Sequence, residues 1–194
     1  MNSQSPTSAN EMPSGCVFLT PIGWWGYAHA DGAIIAVVIG HRTESAAWEA
    51  LKQRAPGVPV ESNDGLVLQK RFEDYIAGEI DDFQDIPILP PRSTPFQASV
   101  LIACRAIEHG ETVTYGELAQ RAGSPRAARA VGSVMAGNVM PLIIPCHRVV
   151  PSNGQLGGFS APGGVTLKQQ LLELEAGCHA TTQCDAPSLF AGLV

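Results

Sequence analysis

A cysteine, a histidine and an arginine follow one another at Cys146, His147 and Arg148, between two short apolar runs. A cysteine thiolate is a strong nucleophile, and a neighbouring histidine can take its proton directly or through a water. Pro145 removes a backbone donor and fixes φ just before the cysteine, so the chain bends there instead of continuing as an inner strand. A lone free cysteine is more often a small buried hydrophobe, so this pair alone leaves core packing and catalysis both open.

A carboxylate that could orient the histidine lies in the helix predicted over residues 165–175. Leu167, Leu171 and Leu174 share one face of that helix, and Glu175 lies at the edge of this face. A partly buried carboxylate needs a hydrogen-bonding partner such as His147, whereas a surface acid at a helix end needs none. We therefore predict a Cys146, His147 and Glu175 relay, in which the carboxylate orients the imidazole and the imidazole activates the thiol.

Two short helices before the cysteine have the sequence of a helix-turn-helix. Thr114 and Glu117 have the spacing of a capping box, and Gly123 is predicted to end the first helix in a left-handed conformation. Ser124-Pro125 is predicted to begin the second helix at once. Arginines set among very small residues share one face of the second helix, which could approach a DNA groove closely: Arg126, Arg129, Ala130, Ser133 and Gly137. An ordinary solvated face, with alanine present for its helix propensity, is the alternative.

The charge of the 194-residue chain is unevenly distributed, although its net value is −6. Residues 1–90 contain 5 Lys and Arg against 12 Asp and Glu, whereas residues 91–176 contain 7 against 5. A mildly basic second half is compatible with contacts to DNA phosphates. No run of about 18 apolar residues occurs, so no membrane span is expected.

The 5 cysteines are odd in number, and no CxxC pair occurs among them. This usage predicts reduced thiols in a cytoplasmic protein and neither a disulfide framework nor a zinc ribbon. Two groups of residues could be considered as metal ligands, but neither has the spacing of a known metal site. The first is Cys16 with His29 and His41, and the second is Cys178 with His179 and Cys184. We therefore expect no metal.

The first half is predicted to be an α/β scaffold without a concentration of reactive residues. Turn signals separate three strands, at 16–20, 24–28 and 33–39, and two helices follow, at 45–54 with Ser45 as its N-cap and at 66–77. The full expectation is a disordered leader (1–14), an α/β domain with a small antiparallel sheet (15–85), a Pro-rich linker (86–93), a mainly α catalytic domain with a winged-helix-like helix-turn-helix (94–176) and a flexible tail (177–194). Thr94 is predicted to cap the first helix of the catalytic domain.

Pro145-Cys-His-Arg-Val149 resembles the signature of the O6-alkylguanine-DNA alkyltransferases, also called methylated-DNA–protein-cysteine methyltransferases. The resemblance runs in order through the whole second half, at 94–97, 110–119, 127–132, 137–138 and 171–175. The first half resembles the small α/β domain of the family only loosely. The resemblance implies a monomer without a cofactor that acts on double-stranded DNA containing O6-alkylguanine, and on O4-alkylthymine. Cys146 then attacks the alkyl carbon of a flipped base and keeps the alkyl group, so each protein molecule reacts once.

The same resemblance implies roles for further residues. It places the second helix of the helix-turn-helix in the minor groove, with Arg129 inserted into the base stack and Arg126, Ala130 and Ser133 beside it. Tyr115 helps to rotate the phosphate and donates to the base, and Asn138 braces the turn before the active-site loop. The guanine is contacted by backbone groups of Val149 and Ser160, with Phe159 beside it.

The chain departs from the family pattern at three points. Val139-Met140 follows Asn138 where proline is common, Phe159 replaces tyrosine, and Ala161-Pro162 resembles a short insertion. The turn and the fit of the pocket to bulky alkyl groups are therefore expected to differ. Two other functions compete: a non-catalytic DNA-damage-binding module of the alkyltransferase-like type, which lacks the cysteine, and a cysteine hydrolase, which needs an oxyanion hole that the sequence does not indicate.

Overall fold

The computed structural model describes residues 13–58 and 66–177. Nearly all of the predicted leader and tail lies outside the described residues, and so do Cys178, His179 and Cys184. Within the described part of the chain, no helix is both long enough and apolar enough to cross a membrane.

The first half begins with a three-stranded antiparallel sheet, as predicted. Its strands are β1 (Ser14–Thr20), β2 (Gly23–Ala30) and β3 (Ala33–His41), in that order. The tight turn between β2 and β3 requires positive φ, which Asp31 and Gly32 adopt at 50° and 73°. The sheet therefore follows from local turn chemistry.

Two helices follow the sheet, α1 (Glu44–Arg54) and α2 (Leu66–Ile76). The predicted N-cap Ser45 is wrong, because the extended residue Thr43 accepts a hydrogen bond from the amide of Ala46 and the helix begins at Glu44. After α2, Gly78 has a positive φ of 100°, a conformation that glycine commonly adopts at the end of a helix.

The Pro-rich segment after α2 is bound to the sheet. The amide of Ile34 donates to the carbonyl of Pro87, and the amide of Leu89 donates to the carbonyl of Ile34, both at 2.8 Å. Ile88 thereby forms a parallel bridge with β3. The segment that leads into the second half is thus fixed along the edge of the first.

The second half is mainly helical, which confirms the predicted fold class. It contains α3 (Pro95–Arg105), α4 (Tyr115–Arg121), α5 (Ala128–Ala136) and α6 (Gly164–Glu175). Capping boxes fix the starts of α3 and α4: Thr94 with Gln97, and Thr114 with Glu117.

The turn between α4 and α5 is longer than predicted. Gly123 has the expected left-handed φ of 73°. Ser124-Pro125, however, does not begin α5, because the amide of Ala127 donates to the carbonyl of Ser124 and closes a separate turn. The helix begins at Ala128 without a side-chain cap, so Arg126 lies in the turn and not on α5.

The reactive segment lies between α5 and α6. Leu142, Ile143 and Ile144 are buried, and Cys146–Arg148 form one turn of 3-10 helix. The chain continues as β5 (Val149–Val150), which pairs in parallel with β4 (Val113–Thr114). Leu142 adopts a left-handed φ of 72°, a strained conformation for leucine that the surrounding core must enforce.

One hydrophobic core joins the two halves. The same cluster of buried side chains contains Trp25 and Phe72 from the first half and Leu118, Ile144 and Leu171 from the second. A smaller cluster lies beneath α1 and contains Ala47 and Leu51. The reactive segment is therefore packed against both halves of the chain.

Candidate active site

The thiol of Cys146 is held at the first residue of the 3-10 turn. The amide of Cys146 donates to the carbonyl of Ile144 at 2.8 Å, and the amide of Arg148 donates to the carbonyl of Pro145 at 2.9 Å. Only 5% of Cys146 is exposed. The bend that Pro145 predicts is thus present, and it fixes the direction of the sulfur.

Asn138 connects the end of α5 to this thiol. Its Nδ2 donates to Sγ of Cys146 at 3.2 Å and to the carbonyl of Ile144 at 2.8 Å, and its Oδ1 accepts from the amide of Met140 at 3.0 Å. One buried side chain therefore braces the turn that follows α5 and also contacts the sulfur.

His147 contacts the carboxylate that the sequence predicts as its partner. Its Nε2 lies 2.8 Å from Oε1 of Glu175, and both side chains are buried. Nδ1 of His147 is also buried and has no hydrogen-bond partner among the described residues. In the same part of the chain no hydrogen bond joins His147 to Sγ of Cys146, so the imidazole is oriented by Glu175 alone.

Glu175 also binds groups that the sequence did not indicate. The hydroxyl of Tyr75, in α2, donates to Oε1 at 2.6 Å, and the amide of Gly110 donates to Oε2 at 3.2 Å. The first half, which is predicted to be a scaffold, therefore contributes a hydrogen bond to the site. Tyr75 and Glu175 are 100 positions apart, and a sequence pattern read within single elements cannot connect them.

Arg148 supplies the positive charge next to this carboxylate. Its Nε donates to Oε2 at 3.0 Å and its Nη2 donates to Oε1 at 2.9 Å, a bidentate pair that is almost fully buried. Its Nη1 reaches the carbonyl of Ile107 at 2.6 Å and the carboxylate of Asp82 at 3.3 Å. Arg148 thus neutralises Glu175 and joins the two halves.

These contacts set the charge states of His147 and Glu175. Burial alone would raise the pKa of Glu175, but the hydrogen bonds and charges of His147 and Arg148 hold that pKa well below its ordinary value. Burial lowers the pKa of His147 and outweighs the opposite effect of Glu175. Because Arg148 already compensates the carboxylate, the pair is best described as a neutral imidazole beside an anionic carboxylate.

The pKa of the Cys146 thiol is shifted in opposite directions by burial and by the neighbouring groups. Burial raises its pKa, whereas the hydrogen bond from Asn138 and the charges of Lys168 and Arg54 lower it. Lys168 is fully buried on α6, and its Nζ donates to the carbonyl of Val149 at 2.6 Å. Burial lowers the pKa of Lys168 to about 8. Lys168 could not be identified as a site residue from the sequence, because lysine on a helix normally indicates a solvated face.

A cavity of about 400 Å³ opens onto Cys146. Three predicted substrate-binding residues line it, namely Tyr115, Phe159 and Ser160, and Gly132, Met135 and Gly158 lie beside them. Its size falls within the range of roughly 300–1,000 Å³ found for small-ligand sites. Val149 does not line this cavity, and its carbonyl accepts the hydrogen bond from Lys168. Ala161, in the segment that resembles an insertion, is buried.

The face of α5 predicted to contact DNA is exposed. Arg129, Ala130, Ser133 and Gly137 are exposed, whereas Val131 and Met135 are buried on the opposite side. Arg126 is exposed as well, in the turn that precedes the helix. The same helix contributes Gly132 and Met135 to the cavity, so the exposed face and the cysteine pocket are adjacent.

The candidate metal ligands of the first half do not form a site. Among residues 13–58 and 66–177, no group of three or more His, Cys, Asp or Glu side chains could hold a metal ion. The thiol of Cys16 faces Oε1 of Gln69 at 3.7 Å.

Comparison with known proteins gives one consistent result. Residues 95–177 match the profile described as 6-O-methylguanine DNA methyltransferase, DNA binding domain. A methylated-DNA–protein-cysteine methyltransferase of Methanosarcina acetivorans is 45% identical over 109 residues, which are 56% of this chain and 67% of that protein. One from Haemophilus influenzae is 44% identical over 128 residues, covering 64% of this chain and 70% of that protein.

A solved structure extends the similarity to the first half. The crystal structure of Mycobacterium tuberculosis OGT in complex with DNA has a TM-score of 0.68 and 32% sequence identity to this chain. The similarity covers 85% of this chain and 94% of that one. It therefore extends well beyond residues 95–177 into the first half of the chain.

Proposed function

The chain belongs to the methylated-DNA–protein-cysteine methyltransferase family, and on that basis we propose that it repairs O6-alkylguanine in DNA by moving the alkyl group to its own Cys146. The observation that carries this assignment to a residue is the thiol of Cys146. It lies at the cavity, accepts a hydrogen bond from Asn138 and is followed by the His147–Glu175 pair.

The transfer is a single displacement at the alkyl carbon. The bond from sulfur to carbon forms as the bond from carbon to O6 breaks, and the electron pair of the broken bond stays on O6. The thiol loses its proton and the guanine gains one, so the products are S-alkylcysteine and normal guanine. Removal of the alkyl group would have to expel the thiolate from a stable thioether, which does not occur without an activating group, and each protein molecule therefore acts once.

His147 is the group we assign to the thiol proton. Its Nε2 is committed to Glu175, so the buried Nδ1 is the nitrogen left to accept a proton, directly or through a water. The resulting imidazolium would be stabilised by Glu175, whose low pKa keeps it anionic. Tyr115, at the wall of the cavity, is the proposed donor to the base.

The target base must leave the stack, because the cavity is too small to admit a stacked duplex. We assign the minor-groove contact to the exposed face of α5, with Ala130 and Ser133 at the closest approach and Arg129 in the space left by the base. Arg126 contacts the DNA next to this face. We propose that the guanine is contacted by backbone groups of Val149 and Ser160 and by the ring of Phe159. The proposed second substrate is O4-alkylthymine.

The presence of Cys146 distinguishes this function from that of a non-catalytic damage-binding module. The thiol lines the cavity and accepts a hydrogen bond from Asn138, which simple binding does not need. We also propose that the protein works as a monomer in the cytoplasm, associated with DNA.

Intact mass spectrometry tests the proposal directly. Incubation with duplex DNA containing O6-methylguanine is expected to add the mass of one methyl group, located on Cys146 by peptide mapping. The Cys146→Ala variant should bind the same DNA without a mass gain, and the control Cys16→Ala should react fully, because Cys16 is distant from the cavity in the first-half sheet. No mass gain in the unaltered protein, or a methyl group on another cysteine, would show that the proposal is wrong.

A further inference from the structure

The end of α1 is connected to the nucleophile through the edge of the sheet. Arg54 is the last residue of α1, and its Nη1 donates to the carbonyl of Val37 in β3 at 2.5 Å. The amide of Val37 donates in turn to the carbonyl of Val139 at 2.8 Å. Val139 directly follows Asn138, whose side-chain Nδ2 donates to Sγ of Cys146. A continuous series of hydrogen bonds therefore leads from Arg54 to the turn that holds the thiol.

Arg54 is partly buried, and its charge acts on the thiol of Cys146. Burial lowers the pKa of Arg54, whereas Cys146 acts in the opposite direction. Arginine nevertheless stays protonated in proteins. The same guanidinium adds to the effect of burial in lowering the pKa of His41. A cation is also favoured at this place because the carbonyl end of α1 carries partial negative charge.

Cys146 is thus affected by groups from several elements. Two of them are cationic, Lys168 on α6 and Arg54 on α1. The others that lie near the thiol are neutral at pH 7: Cys104 on α3, Tyr115 on α4 and the adjacent His147. A thiolate at this buried position depends on the hydrogen bond from Asn138 and then on the two cations, because the burial itself disfavours it.

We propose that Arg54 is a positioning residue for alkyl transfer, which holds the edge of β3 against the Asn138 turn and supplies positive charge toward the Cys146 thiolate. This inference rests on the proposed function. It gives the first half of the chain a part in the reaction, although Arg54 does not line the substrate cavity. Loss of the guanidinium should make the thiolate harder to form and Asn138 less well placed.

The test measures how fast Cys146 reacts as a function of pH. Iodoacetamide is used as a small probe that needs no DNA, and mass spectrometry follows the modification of Cys146 alone. In Arg54→Gln, we expect the pH midpoint of the reaction to move upward and the rate at neutral pH to fall about three- to tenfold. Arg54→Lys keeps the charge and should restore the midpoint, which a purely structural role would not require.

Arg105 provides a matched control. Its Nη2 donates to the carbonyls of Gln84 at 3.0 Å and Ile86 at 2.6 Å, so it also joins a helix to the first half through backbone acceptors. Its pKa is affected by burial and then by Asp85, not by Cys146. Arg105→Gln should therefore lower the melting temperature without moving the pH midpoint of Cys146.

Two outcomes would overturn the inference: a folded Arg54→Gln with an unchanged midpoint and rate, or an equal shift in Arg105→Gln. If Arg54→Gln does not fold, Arg54→Met keeps the aliphatic stem and takes its place. Methyl transfer from lesion-containing DNA is measured on the same proteins. If the unaltered protein accepts no methyl group, the proposed function fails, while the iodoacetamide profile still decides the role of Arg54.

Discussion

At the residue scale, the carboxylate of Glu175 is the shared hydrogen-bond partner of the residues around it. Its two oxygens accept hydrogen bonds from Tyr75, His147, Arg148 and the amide of Gly110. A buried ion pair of this kind adds little net stability, because removing both charges from water costs about as much as their attraction returns. Its presence beside the Cys146 turn is therefore better explained by the need to fix one nitrogen of His147 than by stability.

Lys168 shows the same conflict between stability and chemistry. Lowering its pKa to about 8 corresponds to roughly 3 kcal/mol against folding at neutral pH, which exceeds the about 1–2 kcal/mol of its hydrogen bond to Val149. We predict that Lys168→Met raises the free energy of unfolding at pH 7 by about 1 kcal/mol. The same change should slow methyl transfer, because the cation no longer lowers the pKa of Cys146. Urea unfolding and single-turnover assays measure the two effects.

The difference in the free energy of unfolding between Lys168→Met and the unaltered protein should depend on pH. The pKa of Lys168 is about 8 in the folded protein and near 10.5 when exposed. The cost of this depressed pKa to the folded state is fully present below the folded value and disappears as the pH rises through the unfolded value. The advantage of Lys168→Met should thus be largest at pH 7 and small at pH 10. A variant that is less stable at pH 7, with a difference independent of pH, would contradict the prediction.

At the scale of elements, α5 contributes residues both to the cavity and to the exposed face that is predicted to contact DNA. One side contributes Gly132 and Met135 to the cavity, and the other presents Arg129 among small side chains. The turn before the helix holds Arg126 apart from Arg129. The two arginines therefore meet different parts of a bound duplex, and we expect them to differ in what they do.

Arg126 is predicted to contact a phosphate. Arg126→Ala should weaken binding to damaged and undamaged duplex alike and reduce the slope of log K against log salt by about 0.9, the value for one phosphate contact. Arg129→Ala should instead impair methyl transfer from duplex DNA much more than from the free base. Fluorescence titrations at several salt concentrations measure the first effect.

The control for the salt dependence is Arg121→Ala. Arg121 is exposed on the neighbouring helix α4, but its Nη2 is paired with Glu111 at 2.6 Å. Its removal should leave the slope unchanged. An equal change of slope in both variants would mean that net charge, and not a contact at the turn, explains the result.

The elements could be predicted where their signals are local. The capping boxes at Thr94 and Thr114, the left-handed Gly123 and the exposed face of α5 each depend on residues a few positions apart. The His147–Glu175 contact was accessible because Glu175 lies at the edge of an apolar helix face. The start of α5 was predicted wrongly, because the Ser-Pro signal is also compatible with the turn that forms.

The contacts that complete the site could not be predicted in this way. Tyr75, Asp82 and Arg54 belong to the first half, and each is brought to the second by packing between distant elements. Lys168 is similar, since nothing in its helix pattern marks a lysine as fully buried. Such residues become apparent only when the tertiary structure supplies their partners.

At the scale of the whole molecule, the two halves share a single core. Trp25 belongs to the same buried cluster as Cys146, and Arg148 joins Asp82 to Glu175 across the boundary. All three tryptophans, Trp24, Trp25 and Trp48, lie in the first half. Their fluorescence therefore reports on the part of the protein that does not carry the nucleophile, and it should follow the same cooperative transition as the helices.

Alkylation of Cys146 is predicted to destabilise both halves together. The sulfur accepts a hydrogen bond from the buried Nδ2 of Asn138 at 3.2 Å, and a methyl group added to the sulfur weakens that contact. A buried donor left without its acceptor typically costs about 1–3 kcal/mol. For a chain of this length the melting temperature should fall by roughly 2–12 °C. Tryptophan fluorescence and far-UV circular dichroism should show one coincident transition, with protein treated with undamaged duplex as the control. An unchanged melting temperature, or a fluorescence transition that stays in place while the dichroism signal moves, would show that the halves are not coupled through the active site.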